Sequence, residues 1–143
     1  MIRTCRCGFG NRNLGYDTGG ITMHFSQKQI NELNLGTSLA TEIIAQKGMR
    51  KFIHVGSYLK DSEGRHKSVR NKCDNDNSIL HYSIVIYSIS SDVIENDWDI
   101  GDNIIYHYRV MDIKEILTLE NQIKRYLDDL SLLLPSWYCD DVL

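Results

Sequence analysis

The run of residues 78–91, SILHYSIVIYSISS, constrains the fold of this chain more than any other stretch. It is the longest concentration of β-branched and aromatic residues, which are enriched in β-strands. Alternate residues of an extended chain face opposite sides, and here both sides are largely apolar. A strand of this kind is covered on both faces and paired along both edges. We therefore predict that residues 78–91 form the central strand of a sheet. A buried helix is the alternative, which the β-branched content disfavours.

Four more strands and two helices are predicted around the central strand. The strands cover residues 2–9, 21–25, 52–59 and 103–111, and the helices cover residues 27–47, broken near Gly36, and 112–134. Ser26 and Gln29 form a capping box at the start of the first helix. Apolar residues recur at three- and four-residue steps along the second, which predicts a long amphipathic helix from Asp112 to just before Pro135. The order ββα-βββα predicts an α+β fold, with a mostly antiparallel five-stranded sheet and both helices on one face.

The length and composition indicate one globular domain spanning residues 1–143. A chain of 143 residues with 42% hydrophobic residues can build a real core. No apolar run approaches the roughly 18 residues that a membrane span needs. The first residues, MIRTCRCGFGNRN, lack the apolar centre of a signal peptide. We therefore expect a cytoplasmic protein that does not enter a membrane and whose four cysteines are reduced.

Charge is distributed unevenly along the chain. Residues 1–72 carry 12 Lys and Arg against 5 Asp and Glu, a net charge of +7. Residues 73–143 carry 4 against 14, a net charge of −10. Folding can interleave two such halves so that the charges cancel. It can also leave an acidic face that attracts a basic partner.

The acidic segment 92–102 and the C-terminal tail are the strongest candidates for a functional surface. Each places tryptophan among carboxylates, which is the composition of an interface anchor with a charged rim. The alternative is that both tryptophans fold back into the core, because tryptophan is usually well buried. The predicted partner-binding residues are Asp92, Glu95, Asp97, Trp98, Asp99, Asp102, Trp137 and Tyr138.

These features favour a non-enzymatic inhibitor that binds a basic protein. A small acidic domain without a catalytic motif has the profile of an immunity or antitoxin protein, and its partner could be a nuclease toxin. The profile is an analogy that no motif supports. We expect no cofactor. Exposed strand edges would also allow two copies to pair as a homodimer.

Three other functions stay open at this point. His81 and His107 on neighbouring strands, with Arg109, could serve a small enzyme or a nucleotide-binding protein. The basic loop 60–72 could contact nucleic acid, although nucleic-acid-binding domains are usually basic overall and this chain is acidic. Cys5, Cys7 and His24 could bind zinc, but they lack the usual ligand spacing.

Overall fold

A computed structural model describes residues 22–72, 77–101 and 103–143. The strands are β1 (Leu39–Ile43), β2 (Met49–Lys60), β3 (His66–Lys67), β4 (Ile79–Ser90), β5 (Ile104–Ile113) and β6 (Leu134–Pro135). The helices are α1 (Gln27–Asn34), α2 (Ser91–Glu95) and α3 (Ile116–Ile123), with 3-10 turns at Val69–Asn71, Leu130–Leu132 and Ser136–Tyr138. The fold is α+β, as the order of sequence patterns predicted.

The strands form one antiparallel sheet in the order β5-β4-β2-β1-β6, and β3 pairs with the end of β2. The centre is the pair β2 and β4, which are 12 residues each and aligned along their whole length from Met49 opposite Ser90 to Lys60 opposite Ile79. The prediction of a central strand at residues 78–91 is confirmed.

The two faces of the sheet carry separate apolar clusters. Ile53, Val55, Ile84 and Ile86 point to the face covered by α1 and α3, which we call the helix face. Phe52, Val85, Tyr87 and Ile89 point to the opposite face, where Val93 of α2 and Val142 of the C-terminal tail pack against them. We call this second side the tail face. The alternation of side chains along β4 therefore buries both of its faces, as its composition predicted.

The first helix is much shorter than predicted. Its capping box is present, since the Ser26 hydroxyl accepts from Gln29 N–H and the Gln29 side chain accepts from Ser26 N–H. The helix ends at Asn34 because Gly36 takes a φ of +88°, a conformation that favours glycine. The predicted helix over residues 37–47 is wrong. Residues Leu39–Ile43 are instead strand β1, joined to β2 by a turn at Gly48 with a φ of +84°.

The predicted long C-terminal helix is also wrong beyond its first turns. Helix α3 spans eight residues, Ile116–Ile123. Asp112 does not cap it. This residue lies in β5 at a φ of +62°, and its carboxylate accepts from Tyr58 Oη at 2.5 Å and from Lys60 Nζ at 3.1 Å. After Ile123 the apolar residues Leu127, Leu130 and Leu133 stay buried in the same core, but the backbone forms turns.

The two strands predicted near the start of the chain are not found among the described residues. The predicted strand 2–9 lies outside the described residues, and residues 22–25 of the predicted strand 21–25 form no strand. Phe25 is nonetheless buried, and its N–H donates to the buried carboxylate of Glu120 at 2.6 Å.

None of the helices in the described segments has the length and apolar character that crossing a bilayer requires.

Candidate binding surface

The structure brings the two predicted acidic and aromatic segments together on the tail face. A cleft of about 250 Å³ is lined on one side by Val93, Ile94, Asp97, Trp98 and Ile100, and on the other by Asp140, Asp141 and Val142. The contact between segments more than 40 positions apart arises because α2 follows directly from β4, while the C-terminal tail crosses the same face of the sheet. We call this region the Trp98 cleft.

The aromatic residues of both segments are exposed. Trp98 is 58% exposed, Trp137 66% and Tyr138 43%. The alternative that both tryptophans fold into the core is therefore wrong. Trp137 and Tyr138 do not line the Trp98 cleft, and their rings contact each other with centroids 5.9 Å apart.

The carboxylates of the first segment are exposed and unpaired. Asp92, Glu95, Asp97 and Asp99 lie at the surface and make no ion pair with any described residue. Asp97 also has a φ of +54°, so the chain turns sharply just before Trp98. Its N–H donates to the Ile94 carbonyl at 3.3 Å, which closes α2. Asp102 lies outside the described residues. This surface consequently carries several negative charges that no cation of the described chain compensates.

A buried hydrogen-bond network anchors the tail beneath this surface. The Asp141 side chain is fully buried, and its carboxylate accepts from His54 Nδ1 at 2.7 Å and from the Tyr87 hydroxyl. The same hydroxyl accepts from Val142 N–H at 2.9 Å. Burial and the adjacent Asp141 charge raise the pKa of Tyr87 well above its usual value, so this hydroxyl remains a donor.

A second network fixes the preceding residue. Arg50 donates to both oxygens of the buried Glu42, at 2.7 and 2.8 Å, and to Asp140 at 2.8 Å. The hydrogen bond with Glu42 raises the pKa of Arg50, which stays charged. Fork-shaped pairing of this kind constrains geometry as well as charge. The two networks together fix Asp140 and Asp141, which form one wall of the Trp98 cleft.

Sequence reasoning missed the residues that anchor the tail. Glu42 falls within the predicted helix 27–47, Arg50 falls in no predicted element, and His54 and Tyr87 fall in predicted strands. Their partners are 87 to 90 positions away for His54 and Arg50, so no local pattern could identify them. The available signal was the combination of polar residues at positions that the strand pattern predicted to be buried.

The histidines of the enzyme alternative do not form one site. His81 is buried on the tail face, where its ring stacks near Tyr58 and its Nδ1 lies 2.8 Å from the Ile79 carbonyl. His107 contacts Ser88 on the helix face, and the Arg109 guanidinium lies over the Tyr106 ring at 5.3 Å. The prediction that His81, His107 and Arg109 converge is wrong, because His81 and His107 lie on opposite faces of the sheet.

The remaining candidates are the proposed zinc ligands and the basic loop 60–72. Cys5 and Cys7 lie outside the described residues, and His24 Nδ1 is 3.0 Å from Glu120. Within residues 22–72, 77–101 and 103–143, no three His, Cys, Asp or Glu side chains are grouped to hold a metal ion. In the loop 60–72, Arg65 pairs with Asp61 and Glu63, which offsets part of its basic charge.

Comparisons with known proteins assign no family: no family model, no curated protein and no solved structure matches this chain.

Proposed function

We propose that this protein is an inhibitor that binds a basic protein partner through the Trp98 cleft, and that the inhibition itself results from binding and involves no enzymatic step. The observation that carries the proposal is Trp98, which is 58% exposed on this cleft. Its own segment also carries Asp92, Glu95, Asp97 and Asp99, which make no ion pair with any described residue. A large aromatic side chain within a field of one sign has the character of an interface anchor. The proposed partner is a toxin domain such as a nuclease, and the proposed location is the cytoplasm.

The mechanism is occlusion of a basic cleft on the partner. Carboxylates of Asp97 and Asp99 would occupy positions that nucleic-acid phosphates otherwise take, and their charge would accelerate association. Trp98 would then enter an apolar pocket and slow dissociation. The networks around Arg50 and His54 support this role because they fix the opposite wall of the cleft before binding.

The test begins with a pull-down of the tagged protein from its native host at low and moderate salt. We expect a basic protein in stoichiometric amount, whose recovery falls as the salt concentration rises. Trp98→Ala should then weaken its binding by about 2 kcal/mol or more, roughly 30-fold. Tyr126→Ala is the matched control, since Tyr126 is 43% exposed but contacts the Tyr108 ring and lies outside the Trp98 cleft.

A second pair of variants distinguishes the effect of the acidic charges on binding from that of the Trp98 contact. Replacing Asp97 and Asp99 with Asn should mainly lower the association rate, whereas Asp128→Asn, on an exposed residue outside the cleft, should leave it unchanged. Full-strength binding after both the Trp98 and the Asp97/Asp99 changes would refute the proposal.

A further inference from the structure

A second cleft lies on the helix face, and of the predicted site residues it contains His107 alone. Its volume is about 350 Å³, within the range of small-molecule sites. Its polar lining includes Lys51, Ser88 and His107, and its apolar lining includes Ile44, Met49 and Ile105. Lys51 of β2 and Ser88 of β4 are opposite each other in the sheet, so they enter the cleft side by side.

The Ser88 hydroxyl and His107 are in direct contact inside this cleft. Ser88 Oγ lies 2.7 Å from His107 Nε2, the distance expected of a nucleophile and its general base. When Ser88 donates this hydrogen bond, the neutral imidazole carries its own proton on Nδ1. Ser88 is only 5% exposed, whereas His107 is exposed. The Ser88 hydroxyl is therefore buried against His107, while the imidazole is open to an incoming ligand.

His107 lies at a β-bulge beside Ser88. Ser88 pairs with Ile105, and His107 follows Ile105 by two positions, so side-chain alternation places His107 on the face that Ser88 occupies. Tyr87 pairs with Tyr106 and Ile86 pairs with Tyr108, so His107 is an extra residue without a partner opposite it.

The rest of the cleft supplies a cation and apolar walls. Lys51 makes no ion pair with any described residue, so its ammonium group is available to a negative charge in the cleft. Ile44 is 69% exposed and Ile105 is 53% exposed, and both line this cleft. An apolar chain would cover both.

We propose that Ser88 and His107 are a nucleophile and base that act on small carboxylic esters with an apolar acyl chain. Ser88 Oγ attacks the carbonyl carbon while His107 Nε2 takes its proton, and Lys51 offsets the charge on the carbonyl oxygen. The C–O bond to the alcohol then breaks, and the alcohol leaves with the proton from His107. Water attacks the acyl-Ser88 ester with His107 again as base, which releases the carboxylic acid and restores Ser88.

This proposal stands apart from partner binding. The cleft that contains Ser88 and His107 lies on the helix face, and the Trp98 cleft lies on the tail face. Variants designed for one cleft therefore leave the other surface unchanged. Failure of one proposal therefore leaves the other intact.

The test uses two probes on the full chain. p-Nitrophenyl butyrate reports acyl transfer by release of p-nitrophenolate, and an alkyl fluorophosphonate reports a nucleophilic serine by a stable adduct. Fluoride leaves when Ser88 Oγ attacks phosphorus, and His107 takes the proton. We expect one adduct per chain, located on Ser88 by peptide mass spectrometry. Its formation should slow at least 100-fold in His107→Gln and disappear in Ser88→Ala.

Matched variants separate this site from general reactivity. Ser83→Ala changes another serine of β4, and His66→Gln removes an exposed histidine, so both should react like the wild type. Because His107 is exposed, His107→Gln retains the fold and keeps the test valid if Ser88→Ala unfolds. An adduct absent from the wild type, located on another residue, or formed equally fast in His107→Gln would overturn the proposal.

Discussion

Removing the hydroxyl of Tyr87 tests the network that anchors the tail. Tyr87→Phe retains the buried ring and its stacking on Phe52, with centroids 5.4 Å apart. It removes the donor to the fully buried carboxylate of Asp141 and the acceptor for Val142 N–H. A hydrogen bond to a charged group contributes about 1.5–3 kcal/mol, and a neutral one about 1 kcal/mol. Since Asp141 keeps His54 and Val142 N–H can bind water, we expect a loss of about 2–3 kcal/mol.

The assay is urea unfolding at neutral pH, with the free energy of unfolding compared between variants. Tyr126→Phe is the control, because its ring is half exposed and its hydroxyl makes no hydrogen bond with a described residue. This control should change stability by less than about 0.5 kcal/mol. Amide hydrogen exchange should also accelerate in residues 140–143 of Tyr87→Phe. If Tyr87→Phe loses no more stability than Tyr126→Phe, the network does not hold the tail.

Two further perturbations follow from the backbone and from titration. Gly36→Ala should lower the free energy of unfolding by about 1–2 kcal/mol through its φ of +88°, and by more through a Cβ only 3.2 Å from Val69 Cβ. Gly48→Ala, at a φ of +84° and with open space around the new Cβ, should lose only the stability that the backbone conformation costs. If urea unfolding shows equal losses for Gly36→Ala and Gly48→Ala, the contact with Val69 costs nothing. Burial raises the pKa of Tyr58 to about 12 and that of Tyr87 further, so both stay protonated in the folded state when unfolded tyrosines ionise near pH 10. The folded state then binds more protons than the unfolded state, and stability should fall as pH rises above about 10; an equally steep fall in Tyr87→Phe would contradict the role of Tyr87.

The exposed Asp112 shows how an isolated position can mislead a sequence prediction. An Asp before an amphipathic stretch is a common helix start, and here it occupies a strand position with a left-handed φ of +62°. Its hydrogen bond with Tyr58 and its ion pair with Lys60 hold the pKa of its carboxyl below the usual value. Those partners lie on β2, more than 50 positions earlier.

Residues 39–44 show why one helix prediction failed. Leu39, Ile43 and Ile44 fit a helical repeat, but Leu39, Thr41 and Ile43 also fit the alternation of a strand. Short apolar runs of this kind do not distinguish the two periods. The neighbouring strand β2 decides the outcome, because pairing with β1 satisfies the backbone N–H and C=O groups along one edge of β2.

The C-terminal stretch shows a different limit. The apolar spacing correctly predicted the burial of Leu119, Ile123, Leu127 and Leu130, which all belong to one core. It missed Leu133, which is fully buried, while Ile116 and Leu134 of the predicted stripe are only partly buried. It did not predict the backbone, because turns can bury residues at the same spacing. The Asp129 carboxylate accepts from Ser131 N–H at 3.0 Å, which favours a turn over a continuing helix.

Four features follow from the amino-acid sequence alone: the α+β class, the strands at the centre of the sheet, the capping box at Ser26 and the acidic character of the segment around Trp98. Each of these depends on neighbouring residues, through side-chain alternation, local capping or local charge. Three contacts become visible in the folded chain alone: Trp98 and the tail share a cleft, His54 meets Asp141, and Ser88 meets His107. These contacts depend on strand order and register, which arise from pairing between distant segments and leave no local pattern in the chain.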